Sequence, residues 1–371
     1  MLRRFCFECG FMSSAIILAL SGFVIGVLFG AVVQRTNFCS MGAISDAVAL
    51  GDRRRLRAWL LAIAVAIVGT QALLLTGLVD VGKSFYLAPR VAWIAMLLGG
   101  LLFGFGMVLA GGCASRTVVR VGAGSLKSFI VFIVMGVVGY MTARGLLYYA
   151  RTTVEVAGTD LSKLGLPSQG LPAIAASLLG IELAVAIGVV SALIAGAIIA
   201  WCVRDRAFRA SARDIAAGLL LGLLVTAGWA ASGWLAADEF DPQPPVSLTL
   251  IGPAGDTLQY LMTFTGAKLS FGVAVVFGIL VGAFAAAVAS RTFRIEMFAD
   301  RADMLRHMGG AALMGFGGVM AAGCTVGQGL TGVATLAVGS LLAFGGIVTG
   351  AVFSVKLLVW RMERAALDRG I

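Results

Sequence analysis

Nine long apolar runs dominate the sequence and restrict its possible folds more than any other feature. A helix needs about 20 mostly apolar residues to cross the hydrocarbon core of a bilayer. The runs lie at residues 11–34, 58–79, 91–112, 126–147, 173–203, 214–237, 267–290, 308–322 and 331–360. The pattern predicts an all-α, polytopic membrane protein with about nine transmembrane helices, the eighth of which is short.

The composition excludes an ordinary soluble domain. Of the 371 residues, 60% are hydrophobic and 12% are charged, whereas charged residues make up about 25% of a typical soluble domain. A soluble fold must cover its core with polar surface, and this chain has too little polar surface to do so. The 50 glycines are instead typical of helices that approach each other closely in lipid.

The net charge of +10 is concentrated in short loops between the apolar runs. Basic and aromatic residues are not interleaved as in proteins that bind single strands, so no nucleic-acid partner is predicted. Three loops carry four arginines each: Arg53, Arg54, Arg55 and Arg57; Arg204, Arg206, Arg209 and Arg213; and Arg291, Arg294, Arg301 and Arg306. The positive-inside rule assigns these loops to the cytoplasm and the segment 238–266, which has no Lys or Arg, to the outside.

Following the chain from these loops predicts that both termini are cytoplasmic. Arg3 precedes the first run and Arg361 follows the last. On this path residues 36–50 must return from the outer side to the loop at Arg53, and they are too few to form a full span. We therefore expect a short or re-entrant helix there, which is tolerated at membrane depth only where protein or a water-filled cavity surrounds it.

An internal repeat links two distant parts of the chain. Residues 103–113 and 314–324 are identical at seven of eleven positions, including the final cysteine. A weaker echo relates the glycines Gly26 and Gly30 to Gly278 and Gly282. The loop assignments give the two cysteine-bearing helices opposite directions, so the sequence predicts two inverted pseudo-symmetric halves. Such halves are a recurring plan in transporters, with the solute site between them.

The two predicted halves cover about 11–150 and 173–360 of a single transmembrane domain, 1–371. The first half contains the run 58–79, for which the sequence offers no counterpart between residues 294 and 307.

Three cysteines share one context, because each lies where an apolar run meets a break rich in glycine or hydroxyl residues. The candidate site consists of Cys39, Cys113 and Cys324 together with Asn37, Ser40, Gly112, Arg116, Gly323, Thr325 and Gln328. Glycines release the backbone from helical geometry, and free N–H groups at the start of the next helix favour an anion. A thiol adds a weak, polarizable donor that suits a sulfur-bearing anion.

Each of these residues also has a structural explanation. A single cysteine in a membrane helix is usually a small packing residue. Arg116 fits the positive-inside rule, and the polar side chains of the candidate site can hydrogen-bond to neighbouring helices. Three cysteines in matching breaks, two of them related by the repeat, favour a functional role.

The remaining polar residues offer weaker signals. The single histidine, His307, is predicted to be a solvated loop residue, so neither a metal site nor a cofactor is predicted. Glu182 lies near the outer end of the fifth run, where it either lines a path or reaches water. Cys6 and Cys9 form an isolated C-x-x-C, a spacing that suits redox or metal chemistry. Cys202 is predicted to pack at the interface.

At the three cysteine motifs the sequence resembles the YeeE/YedE family of bacterial membrane proteins, the sulfur-transport domain family. The resemblance covers nearly the whole chain and is most specific at residues 26–39 and in the two Gly-Cys motifs. It implies an hourglass of inverted halves in the bacterial inner membrane, thiosulfate uptake, and a relay of the anion by the thiols of Cys39, Cys113 and Cys324. It also implies a small cytoplasmic sulfurtransferase-like partner. The N-terminal C-x-x-C and the long outer loops depart from the family pattern.

Several functions stay open at this stage. The leading hypothesis is a permease, not an enzyme, for thiosulfate or a related sulfur-containing anion, and the second is a carrier for selenium or another sulfur compound. A membrane thiol enzyme would exchange disulfides between Cys6 or Cys9 and a pore cysteine. A catalytic thiol needs a nearby histidine or cation, and Cys39 and Cys324 have no adjacent His or Lys. A scaffold for a sulfur carrier would not need the pore cysteines.

Overall fold

The computed structural model describes residues 14–166, 168–236 and 243–367, and these ranges are mostly helical. The helices are α1 (Ser14–Thr36), α2 (Ser40–Ser45), α3 (Arg54–Leu75), α4 (Trp93–Leu109), α5 (Ala114–Gly122), α6 (Leu126–Arg144), α7 (Tyr148–Glu155), α8 (Leu171–Leu179), α9 (Leu183–Val203), α10 (Arg206–Arg209), α11 (Ala212–Ala230), α12 (Ile251–Met262), α13 (Phe271–Ala289), α14 (Arg301–Met320) and α15 (Val338–Leu367). Three π-helical turns occur at Asp46–Leu50, Ala231–Leu235 and Gly327–Gly332. The strands β1 (Arg90–Val91) and β2 (Thr159–Asp160) pair antiparallel, with Arg90 opposite Asp160.

Eight helical stretches in the described part of the chain are long and apolar enough to cross a membrane. They are Ser14–Leu50, Arg54–Leu75, Trp93–Gly122, Leu126–Arg144, Leu183–Val203, Ala212–Leu235, Phe271–Ala289 and Val338–Arg364. These stretches correspond to eight of the nine predicted runs and confirm the all-α polytopic fold. The short run 308–322 lies in α14, whose first two turns carry charged residues. The run 173–203 is interrupted at Gly180, whose left-handed backbone (φ 64°) ends α8 before α9 begins.

The three arginine-rich loops meet at one end of the molecule, which we call the arginine face. Arg57 Nη1 lies 2.5 Å from Asp205 Oδ2, which joins the start of α3 to the loop before α10. The side chain of Gln34, at the end of α1, reaches Thr292 after α13. The other end, which we call the opposite face, is joined by Gln169, whose amide donates to Ala88 O at 2.9 Å and accepts from Gly339 N at 3.0 Å.

Helix α1 runs in the direction opposite to the predicted one. Its glycines Gly22, Gly26 and Gly30 pack in order along α13, from Phe271 to Ile279, so the two helices are parallel. Because α13 ends at the arginine face, α1 ends there too and begins at the opposite face. The packing is so close that a Cβ on Gly282 would overlap the carbonyl oxygen of Val27.

The last helix, α15, runs parallel to α4 toward the arginine face, since Gly346 and Gly350 pack beside Leu97 and Leu101. The two ends of the described chain, at 14 and 367, therefore lie on opposite faces. The chain termini, which were predicted to share the cytoplasmic side, lie outside the described residues. The path that led to this prediction is nevertheless wrong for α1. It failed because residues 36–50 were taken to cross the membrane, whereas they enter and leave at the arginine face.

The re-entrant segment itself was predicted correctly as a short helix. It comprises α2 and the π-helical turn that follows. Arg55, in the first turn of α3, donates to Asn37 O at 2.6 Å and to Asp46 Oδ2 at 2.8 Å, so the arginine holds both ends of the segment at the arginine face.

Two further packed pairs fix the remaining helix directions. Helices α3 and α11 are parallel, with Gly218 against Ala58 and Gly222 against Ala62. Helices α4 and α14 are antiparallel, because Gly99 meets Gly317 whereas Gly106 meets Gly310. Taken in chain order, α1, α3, α4 and α6 therefore alternate in direction, and α11, α13, α14 and α15 alternate in the reverse sense.

This order changes the predicted correspondence between halves. The echo between Gly26 and Gly278 lies on parallel helices, so an inverted repeat does not relate them. By order and direction α11 is the counterpart of α1, and α13 is the counterpart of α3. Helix α3 contains the run 58–79, for which the sequence offered no counterpart. A second half defined in this way begins at α11, whereas the sequence analysis placed its start at residue 173. Helix α9 packs on α3 and belongs to neither set of four matched helices.

Candidate functional site

Three long helices end in the same local conformation before a cysteine. Asn37 after α1, Gly111 after α4 and Ala322 after α14 all have left-handed backbones, with φ of 55°, 69° and 54°. After α4 and α14 the next amide N–H bonds back to the fifth preceding carbonyl, at 3.0 and 2.8 Å, which is the Schellman arrangement that terminates helices. Cys39 and Cys113 then adopt extended conformations as the N-cap residues of α2 and α5.

Two of the three cysteines meet. Helices α1 and α4 both run toward the arginine face, which brings the Cys39 and Cys113 thiols to an Sγ–Sγ distance of 3.6 Å. The Cys113 thiol also lies 3.2 Å from Ser115 Oγ. Both cysteines are buried and unbridged. Two adjacent thiols offer two weak hydrogen-bond donors to a single acceptor atom.

The third cysteine lies at the break after α14, which runs away from the arginine face. Cys324 is fully buried and free, and its Sγ accepts from Gly327 N at 3.4 Å, at the start of the last π-helical turn. By order in the chain, α12 corresponds to α2. Its N-cap residue is Leu250, where α2 has Cys39, so the break after α14 has no second thiol from this helix.

Arg116 joins the breaks that carry Cys39 and Cys113. Its Nη2 donates to Asn37 Oδ1 at 2.8 Å, while its buried Nη1 has no hydrogen-bond partner among the described residues. Arg120 donates to Gly111 O at 3.0 Å and so holds the same corner. A guanidinium with free N–H groups beside two thiols is suited to binding an anion.

The other predicted residues are buried around these breaks. Ser40 is buried one residue after Cys39, and Thr325 is buried one residue after Cys324. Ser40 Oγ, Thr325 Oγ1 and Gln328 Oε1 have no partner in the described part of the chain. The Gln328 amide nitrogen donates to Ala321 O at 2.7 Å and thereby satisfies the carboxyl end of α14.

The two glycines of the site leave room for neighbouring side chains. A Cβ on Gly112 would lie 3.5 Å from Arg116 Cβ, and one on Gly323 would lie 3.0 Å from Gln328 Cγ. The structure therefore gathers the ten predicted residues around three breaks, two toward the arginine face and one toward the opposite face.

An aromatic wall beside the cysteines was not predicted. Phe38 stacks on Trp59 at a centroid distance of 5.2 Å, and Trp59 stacks on Phe344 at 6.2 Å. A Cβ on Gly329 would lie 2.7 Å from the Phe344 ring, so the last π-helical turn packs on this wall. Trp59 Nε1 is buried and has no partner within the described ranges. Phe38 adjoins Cys39 in sequence, but nothing local identifies Trp59 or Phe344.

His307 is a correction, because it is buried rather than a solvated loop residue. It lies in α14 with 4% of its surface exposed, and its Nδ1 is 2.8 Å from Asp303 O. A Cβ on Gly111 would lie 3.2 Å from His307 Nε2, so the ring supports the corner that leads to Cys113. Its spacing of four residues from Asp303 on a helix was the available signal.

Electrostatic contacts hold the arginine face together near this corner. Lys127 Nζ lies 2.7 Å from Asp303 Oδ2, which links the first turns of α6 and α14. The hydrogen bond from Lys127 lowers the pKa of Asp303 to about 2. The carboxylate is therefore ionised over the physiological range.

The remaining sequence signals do not contribute to the site. Cys202 Sγ lies 3.4 Å from Arg57 O and packs beside α3, as predicted. Glu182 is exposed at the N-cap of α9. Cys6 and Cys9 lie outside the described residues. Within the described ranges no group of three or more His, Cys, Asp or Glu side chains is placed to hold a metal ion.

Comparison with known proteins agrees with this architecture. The sequence model of the family described as "Sulphur transport" matches residues 35–353. The chain is 30% identical over 319 residues to the thiosulfate transporter TsuA of Escherichia coli (strain K12), covering 84% of this chain and 86% of that protein. It is 28% identical over 332 residues to the thiosulfate transporter TsuA of Spirochaeta thermophila, covering 87% and 94%.

A shorter match relates the chain to the probable transporter YedE of Escherichia coli (strain K12), with 29% identity over 143 residues, or 38% of this chain and 32% of that protein. The family match spans most of the chain, including all three site cysteines and both helix breaks that carry the repeat. The chain belongs to the sulphur transport family.

Proposed function

We propose that this protein is a permease for thiosulfate or a related sulfur-containing anion. The observation that carries the proposal is a set of buried hydrogen-bond donors without partners beside the cysteines. Arg116 Nη1 and Trp59 Nε1 are the clearest, since neither atom can accept a hydrogen bond instead. Leaving such donors unpaired costs about 1–3 kcal/mol each, more for a charged group. An anion in the path supplies the missing acceptors.

The proposed route passes from Cys324 to the pair Cys113 and Cys39. A polarizable anion accepts weak hydrogen bonds from the thiols in turn, and weak bonds allow it to leave each position. At the second break the anion meets the amide N–H groups at the start of α5 and the guanidinium of Arg116. The three breaks are shaped by Asn37, Ser40, Gly112, Gly323, Thr325 and Gln328.

The proposed orientation follows from charge. Arg53, Arg54, Arg204, Arg206 and Arg209 are exposed at the arginine face, and the positive-inside rule assigns such loops to the cytoplasm. In a bacterial inner membrane the anion then enters near Cys324 and leaves near Asn37. The exposed arginines also favour docking of an acidic, sulfurtransferase-like protein that would take the sulfur.

Uptake into proteoliposomes tests the proposal. Purified protein is reconstituted, ³⁵S-labelled thiosulfate is added outside, and protein-free vesicles provide the background. We expect saturable uptake that excess unlabelled thiosulfate suppresses and sulfate suppresses weakly, because sulfate offers no soft sulfur to the thiols. Uptake of a labelled selenium compound without uptake of thiosulfate would replace the substrate. Folded protein that transports none of these anions would contradict the permease.

A further inference from the structure

Two polar aromatic side chains meet deep in the protein on the side of the opposite face. Tyr86 lies in a 3₁₀ turn, Phe85–Leu87, between α3 and α4, and Trp229 lies in the last turn of α11. Tyr86 is 4% exposed and Trp229 is fully buried. Their ring centroids are 6.2 Å apart, with the planes at 75°, so the edge of one ring meets the face of the other.

Neither ring has a partner for its polar atom. Tyr86 OH and Trp229 Nε1 are buried, and neither forms a hydrogen bond with any described residue. An indole N–H can only donate, so Trp229 cannot be satisfied by another donor. Buried donors in folded proteins are nearly always paired, and an exception requires an explanation. Two exceptions in contact with each other indicate one shared acceptor.

The surrounding fold fixes both side chains. Next to Tyr86, Ala88 O accepts from Gln169 Nε2 at 2.9 Å, and the strand pair β1–β2 follows. On the side of Trp229, Ser247 Oγ donates to Val225 O at 2.7 Å, one turn before the tryptophan. Hydrogen bonds thus hold the backbone near both donors in place. The donors are ordered when the protein folds, so a ligand does not have to order them on binding.

The pair lies on the approach to Cys324. Residues 247–249 connect the pair to this cysteine, because Ser247 packs on Gly228, the residue before Trp229. Thr249 packs on Gly327, three residues after the cysteine. Helix α11, which carries Trp229, packs against the π-helical turn Gly327–Gly332 that follows Cys324. A solute that reaches Cys324 from the opposite face therefore passes the two aromatic donors.

We infer that Tyr86 and Trp229 form an oxyanion-binding station that holds the oxygen atoms of the solute before its sulfur reaches Cys324. The inference rests on the proposed function and adds the recognition of a tetrahedral sulfur oxyanion. Two neutral donors bind the oxygen atoms of the anion less strongly than a buried cation would. The anion is therefore released to the thiols more readily. They also discriminate against sulfur anions without oxygen, such as hydrosulfide, which leave the donors unpaired.

Equilibrium binding of labelled thiosulfate to the purified full chain tests the station. The variants are Tyr86→Phe and Trp229→Phe, which remove the donors and keep aromatic rings. Tyr140→Phe and Trp201→Phe are matched controls, because Tyr140 packs against Gly255 and Trp201 against Arg57. We expect each test variant to weaken binding about tenfold, as loss of one hydrogen bond to a charged ligand does. The controls should bind as the unaltered protein does.

Thermal unfolding without ligand separates recognition from packing. Because the Tyr86 hydroxyl has no partner in the described protein, Tyr86→Phe should leave the unfolding temperature unchanged or raise it. Unchanged affinity in both test variants would overturn the station, and so would a Tyr86→Phe variant whose weaker binding follows a lower unfolding temperature.

Uptake by the same samples distinguishes this inference from the proposed function. Transport by the unaltered protein together with normal binding by both variants overturns only the station. Binding that depends on Tyr86 and Trp229 without any transport overturns only the permease. Absence of both binding and transport in the unaltered protein overturns both.

Discussion

At the scale of residues, the cysteines were predictable and their surroundings were not. Each cysteine follows a break that glycine or asparagine marks in the sequence, so local chemistry identifies it. The 3.6 Å approach of the Cys39 and Cys113 thiols depends on residues 74 positions apart. The contacts of Trp59 with Phe344 and of His307 with Gly111 join residues that are 285 and 196 positions apart. Their roles appear only when the helices are assembled.

The contact of Lys127 with Asp303 predicts a pH-dependent contribution to stability. The pKa of Asp303 is lowered to about 2, whereas a free aspartate titrates near about 4. The carboxylate therefore stabilises the fold fully above about pH 4, and this contribution is lost as the pH falls toward about 2. We expect Asp303→Asn to unfold at a lower temperature than the unaltered protein at neutral pH, with a difference that shrinks as the pH falls below about 4.

Unfolding temperatures of both proteins in detergent, measured at neutral pH and at several acidic values, check this prediction. A difference that stays constant with pH would mean that Asp303 acts through packing or capping rather than through its charge.

At the scale of elements, glycine-mediated packing sets the helix directions that the loops alone left uncertain. The parallel pair α1 and α13 has glycines every four residues on its contact faces, from Gly22 to Gly30 and from Gly278 to Gly282. The segments that follow the two repeat cysteines, Cys113 and Cys324, also differ in length by one residue. Left-handed backbone ends them at Gly124, eleven residues after Cys113, and at Leu336, twelve residues after Cys324. The π-helical turn Gly327–Gly332 accommodates the additional residue.

Enlarging one glycine of the α1–α13 contact should prevent assembly. A side chain at Gly282 would overlap the backbone of Val27, which cannot move without separating the helices. We expect Gly282→Leu to lose most of its folded yield in membranes, measured by size-exclusion chromatography after extraction. Gly188→Leu is the matched control, since no atom lies within 4 Å of a Cβ at Gly188. Equal yields of the two variants would contradict the packing described here.

At the scale of the whole molecule, the sequence predicted the membrane class and the shared face of the arginine loops. It did not predict the direction of α1 or which helices match α1 and α3 by order and direction. Hydropathy predicts how many segments cross the membrane but does not show whether a short segment crosses or re-enters. The number of crossings before α3 therefore depends on the single segment 36–50. Once that segment re-enters at the arginine face, every later helix keeps its predicted direction and only the beginning of the described chain changes sides.

Surface labelling in cells tests this topology. Arg53→Cys places a thiol on the arginine face, and Lys83→Cys places one on the opposite face, where both native side chains are exposed. We expect an impermeant thiol reagent to label Lys83→Cys in intact spheroplasts and Arg53→Cys only after lysis, each above the background of the unaltered protein. The reverse pattern would invert the molecule in the membrane and contradict the positive-inside assignment.

The central claim is that Cys324, Cys113 and Cys39 line one path for the anion. Thiosulfate uptake into proteoliposomes by the three single alanine variants tests it most directly, with Cys202→Ala as a control for loss of a buried thiol away from the breaks. Folded yield is measured for each sample. We expect uptake near the level of protein-free vesicles for the three path variants and normal uptake for Cys202→Ala. Normal uptake by all three path variants would contradict a path lined by thiols.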